Sequence, residues 1–311
     1  MQTYIIFSKI FPDIKLNLHE SRQFSLLSII IFSTFDNHLI RLCMFLNIIS
    51  WNPDPEIFRI GPIAVRWYGL LFASAFFFSY LVMNKIFRNE KLKEDVLDRL
   101  TVYMALGVIV GARLGHCLFY EPDYYLSHPL EIIMIWHGGL ASHGAAIGIL
   151  LALWLFSRKE KRDYIWILDR IAIVVALSGF FIRMGNLMNS EIYGVETTVP
   201  WAFVFLRNHE VAPKHPTQIY EALFYLALFF LLSWAYWRKK GEHIQGILIS
   251  ILCILMFTAR FFIEFLKEDQ VAFEATMKLN MGQWLSIPII LGGFVGLYLS
   301  IKRNKRITIK R

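Results

Sequence analysis

Gly179–Gly194 reads GFFIRMGNLMNSEIYG, closing an apolar run and opening a polar one. Arg183 and Asn186 stand three apart, so on a helix they share a face. Glu191 follows in a turn-rich exit, because Gly185, Asn189, Ser190 and Gly194 crowd around it. An arginine inside a membrane-length segment costs about 2.5–3.5 kcal/mol at mid-bilayer and less toward the interface. A chain keeps such a charge where it has a partner or a task. The rest of the fold is therefore expected to bring other polar groups to the depth of Arg183.

Composition supports a membrane setting. Of the 311 residues, 56% are hydrophobic and 18% charged, against about 25% charged in soluble domains. The apolar runs are continuous rather than alternating, which points to helices and excludes a transmembrane barrel. Cys43, Cys117 and Cys253 stand alone in apolar stretches, with neither disulfide nor zinc spacing, and read as packing residues. No GxGxxG, P-loop or CxxC pattern occurs, so no metal, haem, nucleotide or other cofactor is expected.

The expected class is an all-α polytopic protein with seven transmembrane helices. The spans run about Ile63–Phe87, Leu100–Tyr120, Gly139–Phe156, Ile165–Met184, Pro216–Tyr236, Ile244–Leu266 and Trp284–Ile301. A transmembrane core over 51–301 and a basic tail over 302–311 follow. Residues 1–50 form an atypical extension, whose only apolar core, Phe24–Phe35, is shorter than the ~20 residues of a span. The start reads as over-long, with Met44 the expected true first residue, and a genuine interfacial segment is the alternative.

Every second loop is basic. Lys85, Arg88, Lys91, Lys93 and Arg99 fall between spans one and two, and Arg158, Lys159, Lys161 and Arg162 between three and four. Arg238, Lys239 and Lys240 follow span five, and the tail carries six more cations. The remaining loops hold only Arg207, Lys214, Lys267 and Lys278. A start outside and an end in the cytoplasm satisfy this pattern. The net charge of +8 is thereby topological and requires no nucleic acid.

With that orientation, one depth near the outer face collects Arg66, Tyr68, Arg113, His143, Arg183, Asn186, Gln218, Glu221, Arg260 and Glu264. A phospholipid keeps its phosphate at this depth. Gly107, Gly111 and Gly115 in span two, and the small residues opening span three, allow close helix approach. Each polar residue also has a plainer reading. Arg260 and Glu264, four apart, could simply pair. Arg113 could snorkel to headgroups, and His143 alone could be a packing residue.

Arg183–Gly194 resembles the signature of the prolipoprotein diacylglyceryl transferases. Six further blocks match in order: VRWYGLLF at 65–72, GARLGHCLFY at 111–120, HGGLASHGA at 137–145, HPTQIYE at 215–221, ARFFIEFLK at 259–267 and MGQWLSIP at 281–288. The likeness spans about Trp51–Ile301 and departs from the family pattern at Arg66, His137 and Met256.

The resemblance implies a seven-span transferase of the bacterial inner membrane, its site facing the outer leaflet. It would move the diacylglyceryl group of phosphatidylglycerol to the lipobox cysteine of a prolipoprotein signal peptide, the first step of lipoprotein maturation. Arg183 would bind the lipid phosphate and Asn186 orient the headgroup. Arg260 would steady the leaving phosphate, held by Glu264. His143 would be the base, assisted by Tyr68. Glu191 and Gly194 would shape the outer loop, with Gly194 supplying a turn, and Leu187–Lys214 would form a small periplasmic head. Two other classes fit buried arginines: a transporter of an anionic solute and a non-catalytic lipid-binding scaffold. No internal repeat or midplane polar site supports the transporter.

Overall fold

The computed structural model describes residues 48–61, 63–135, 138–139, 141–239, 241, 244–268 and 277–309. The stretch 1–43, Met44, Cys43 and His137 lie outside the described residues. The described chain is mainly helical. Strands β1 (Ile49–Trp51), β2 (Glu56–Ile60) and β3 (Ile63–Arg66) precede α1 (Trp67–Asn89) and α2 (Glu94–Phe119). A short α3 (Pro122–Ser127) leads to α4 (Ser142–Lys159) and α5 (Tyr164–Met188). Strand β4 (Phe203–Phe205), α6 (Thr217–Arg238), α7 (Ile247–Ile263) and α8 (Met281–Ile309) complete the order.

Six of these helices, α1, α2, α5, α6, α7 and α8, are long and apolar enough to cross a membrane. The protein is thus an all-α polytopic membrane protein with small two-stranded additions. The segment expected as span three is α4, whose 18 residues begin with Ser142 and His143 and end with Arg158 and Lys159. The first expected span began too early. Ile63–Arg66 instead pairs antiparallel with Glu56–Ile60, turning at Gly61, whose φ is +58°. The β-branched Ile63 and Val65 suit a strand as well as a span, so hydropathy alone ran the two together.

Helix α5 is central. Half of its apolar window (56%) is buried, against 11–33% for the other five candidate spans. It packs against α1 on one side and α6 on the other. The main core gathers Met83, Ile86 and Phe87, Leu97 and Leu100, Phe156, Ile167–Ala176, Leu232 and Tyr236, all toward the end of the bundle that carries the basic loops. There Arg170 is closed in by Glu90 at 2.9 Å, with the Trp166 ring 4.7 Å from its guanidinium. Buried Asp169 accepts from Gly246 N (2.7 Å) and Ile249 N (3.0 Å), so its charge faces the N-terminus of α7.

Helices α2 and α4 meet through glycines. A Cβ on Gly111 would lie 2.8 Å from Gly148 Cα, and one on Gly115 2.6 Å from Gly144 Cα. Only glycine permits this backbone approach. At the opposite end from the main core, a small head forms over α5. Strand β1 runs parallel to β4, and Leu187, Phe203 and Phe205 pack beneath Trp51, Tyr193 and Ile219. The Trp51 indole donates to Leu187 O at 2.9 Å, locking the head to the end of α5.

Candidate functional site

The last turns of α5 carry Arg183 and Asn186 on one face, as their spacing requires. Arg183 Nη1 donates to Asn186 Oδ1 at 3.1 Å, and Asn186 Nδ2 donates to Glu191 Oε1 at 2.7 Å. The turn between them is held from α6. Thr217 Oγ1 donates to Ile192 O (3.0 Å) and Gln218 Nε2 to Glu191 O (2.7 Å). These bonds hold Ile192, a β-branched residue, at φ +59°.

Arg183 also faces Glu221, which is fully buried near the start of α6. Arg183 Nε lies 2.9 Å from Glu221 Oε2, an ion pair whose N–H is not aimed at the oxygen. Glu221 Oε1 accepts from Lys267 Nζ at 3.1 Å, and the Tyr225 hydroxyl donates to it at 3.3 Å. Lys267 reaches on to Glu264 Oε1 at 3.0 Å, and Arg260 Nε approaches that same oxygen at 3.3 Å. One polar chain therefore runs Glu191, Asn186, Arg183, Glu221, Lys267, Glu264, Arg260.

Three cations and three carboxylates alternate along it. Their charges balance, which is how such groups remain buried in an apolar bundle. Arg260 is the most open of the five groups from Arg183 to Arg260, its side chain 34% exposed against 13% or less for the others.

The structure thus brings together Arg183, Asn186, Glu191, Arg260 and Glu264. Tyr68 stands nearby, its ring 2.8 Å from where a Cβ on Gly185 would be. His143 lies apart from the chain, exposed in the first turn of α4, and has no hydrogen-bond partner among the described residues. Arg113 neither joins the chain nor snorkels. It is 3% exposed and donates to the carbonyls of Glu131, Ile132, Gly138 and Gly139, with the Tyr125 ring 4.9 Å away.

Gly194 acts differently from the expected turn. Its φ is not positive, and a Cβ there would run into Leu266 O and lie 2.7 Å from the His215 Cβ. It is a point of close approach, where Gly194 N donates to His215 O at 2.8 Å.

Glu221 and Lys267 are the members that sequence reading left outside the site. Lys267 stands three residues after Glu264, so the (i, i+3) spacing was the available signal. In the head, burial pulls the Lys214 ammonium down, but Glu268 and Glu210 outweigh it and hold its pKa above the ordinary value. Among the described residues no group of three or more metal-ligating His, Cys, Asp or Glu side chains is gathered.

These features define a multi-pass helical membrane protein with a buried ionic site at one end of its central helix. The chain belongs to the prolipoprotein diacylglyceryl transferase family, whose sequence profile matches residues 55–299. Relatives named phosphatidylglycerol–prolipoprotein diacylglyceryl transferase resemble it over most of their length. The protein of Tolumonas auensis is 48% identical over 257 residues, covering 82% of this chain and 99% of its own. That of Chloroherpeton thalassium is 45% identical over 256 residues, covering 82% and 95%. That of Bacteroides fragilis is 43% identical over 274 residues, covering 84% and 98%.

Proposed function

We propose that this chain transfers the diacylglyceryl group of phosphatidylglycerol to the lipobox cysteine of a prolipoprotein. The observation that carries the reading is the ionic chain joining Arg183 to Arg260 through Glu221, Lys267 and Glu264. A phosphodiester entering beside Arg260 displaces its loose contact with Glu264 and gains a planar donor pair.

The cysteine thiolate attacks the glycerol carbon that bears the phosphodiester oxygen. A C–S bond forms, the C–O bond breaks, and glycerol phosphate leaves with the electron pair. A thiol of pKa near ~8.5 must first lose its proton, which passes to the imidazole of His143. Tyr68 donates a hydrogen bond to the same sulfur. Arg183 binds the lipid phosphate, Asn186 orients the headgroup, and Glu191 fixes Asn186. Arg260 stabilises charge as it develops on the leaving oxygen, with Glu264 holding its side chain. Gly194 keeps the head close over the site.

In this reading α4 is a seventh span, the start of the transmembrane region lies outside, and the tail lies in the cytoplasm. The protein sits in the bacterial inner membrane with its site toward the outer leaflet. Residues 51–301 make up the transferase unit, 1–50 an extension and 302–311 a basic tail.

Purified protein in detergent, given labelled phosphatidylglycerol and a lipobox peptide, tests the assignment. Thioether product is expected, with Arg183→Lys partly active and Arg183→Gln reduced roughly 100-fold or more. Near-normal transfer by Arg183→Gln would remove Arg183 from the phosphate site. Lipid binding without product would favour a scaffold.

A further inference from the structure

The block MGQWLSIP opens α8. Its first turn is built around Glu264. Asn280 Oδ1 accepts from Gln283 N (2.9 Å), while Gln283 Oε1 accepts from Asn280 N (3.0 Å). This reciprocal pair is a capping box. Gln283, 2% exposed, donates through Nε2 to Phe261 O at 3.3 Å, tying the start of α8 to the end of α7.

The same turn meets the carboxylate directly. Asn280 Nδ2 donates to Glu264 Oε2 at 3.2 Å. A Cβ on Gly282 would lie 2.6 Å from both Cδ and Oε1 of Glu264 and 3.1 Å from its Cγ. Glu264 therefore occupies the space a side chain at 282 would fill. Its two oxygens are gripped differently. Oε1 faces Arg260 and Lys267, and Oε2 faces Asn280 at the positive end of α8.

We infer that Gly282 and Asn280 are positioning residues for the transfer, acting through Glu264 on Arg260. The first turn of α8 is a backstop. It sets how far the carboxylate stands from the Arg260 guanidinium, and so where that cation waits for the phosphate. The inference rests on the proposed role of Arg260.

Gly282→Ala pushes Glu264 toward Arg260 and misplaces both. In the transfer assay kcat is expected to fall roughly 10- to 100-fold, with KM for phosphatidylglycerol changing far less. Shortening the carboxylate restores the space, so Gly282→Ala with Glu264→Asp is expected to exceed Gly282→Ala alone about 5-fold or more, by the non-additivity of touching residues. A general weakening of the helix would not be relieved in this way.

Asn280→Asp keeps the cap but exchanges the amide donor for a second carboxylate. It is expected to lower kcat about 10-fold or more with KM for phosphatidylglycerol changing far less, since the amide's bonds to Glu264 Oε2 (3.2 Å) and Glu264 O (3.5 Å) are lost and a like charge faces the carboxylate. Wild-type kcat in Gly282→Ala, or no relief by Glu264→Asp, overturns the inference. Should Gly282→Ala not accumulate, a wild-type rate in Asn280→Asp overturns it alone. Arg260→Gln run in parallel separates the two claims. Full activity there sinks the role of Arg260, whereas its loss beside an unaffected Gly282→Ala sinks only the backstop.

Discussion

Glu221 is fully buried and serves two cations at once, Arg183 at 2.9 Å and Lys267 at 3.1 Å. Removing its charge leaves positive groups uncompensated in an apolar bundle. Breaking a buried pair by taking away one partner costs about 3–5 kcal/mol. Glu221→Gln is accordingly expected to lower the unfolding free energy in detergent by that amount and to abolish most transfer. Adding Lys267→Met should recover part of the stability and none of the activity, because Arg183 still lacks its partner. A thermal midpoint equal to that of the parent would show that these charges are solvated. Arg183, Asn186, Glu191, Arg260 and Glu264 were all legible in the sequence, because local spacing and membrane depth single them out. Lys267 was not. Counting cations by loop assigned it to topology, although its side chain is 2% exposed and its ammonium meets two carboxylates. Glu221 was seen as polar, but its partners come from α5 and from beyond α7, and such distant contacts leave no periodic trace.

The head element depends on a histidine at its base. His215 Nδ1 lies 3.1 Å from the Tyr220 hydroxyl, which accepts from the Trp201 indole at 2.8 Å. Burial pushes His215 below its ordinary pKa. The folded head therefore prefers the neutral ring, and the unfolded chain binds more protons near pH 6. Stability from this group is complete above its unfolded value of about 6.5 and is lost as pH falls through the lower folded value. The protection factor of Gly194 N, which donates to His215 O, should fall as the pH drops below about 6.5, and His215→Gln should flatten that dependence. A protection factor in the parent that does not change with pH would mean the ring titrates without strain on the head. This element was half legible. The polar loop over α5 was visible as a head, but its strand partner, Ile49–Trp51, lies more than a hundred residues earlier. The hairpin of β2 and β3 was hidden for a different reason. Ile63–Val65 is apolar and only Arg66 separates it from Trp67, so hydropathy sees one segment where the backbone makes a strand and then a helix.

Across the whole molecule, the basic loops and the ionic site fall at opposite ends of α5, and this separation decides which way α4 must run. At 1.5 Å per residue its 18 residues span ~27 Å, a few ångströms short of a ~30 Å hydrocarbon layer. Arg158, whose guanidinium lies 5.4 Å from the Trp154 ring centre, can make up the difference by snorkelling. If α4 crosses, Ser127 before it and Lys161 after it lie on opposite sides of the membrane. If α4 lies along the surface, they share a side, and the alternation of basic loops fails from that point onward. Both residues are exposed. With Cys43, Cys117 and Cys253 replaced, Ser127→Cys should react with an impermeant maleimide in intact spheroplasts, and Lys161→Cys only after lysis. Equal labelling of the two would reduce the bundle to six crossings. Reversed labelling would place the site of Arg183 and Arg260 on the cytoplasmic side, where no exported signal peptide could deliver its cysteine.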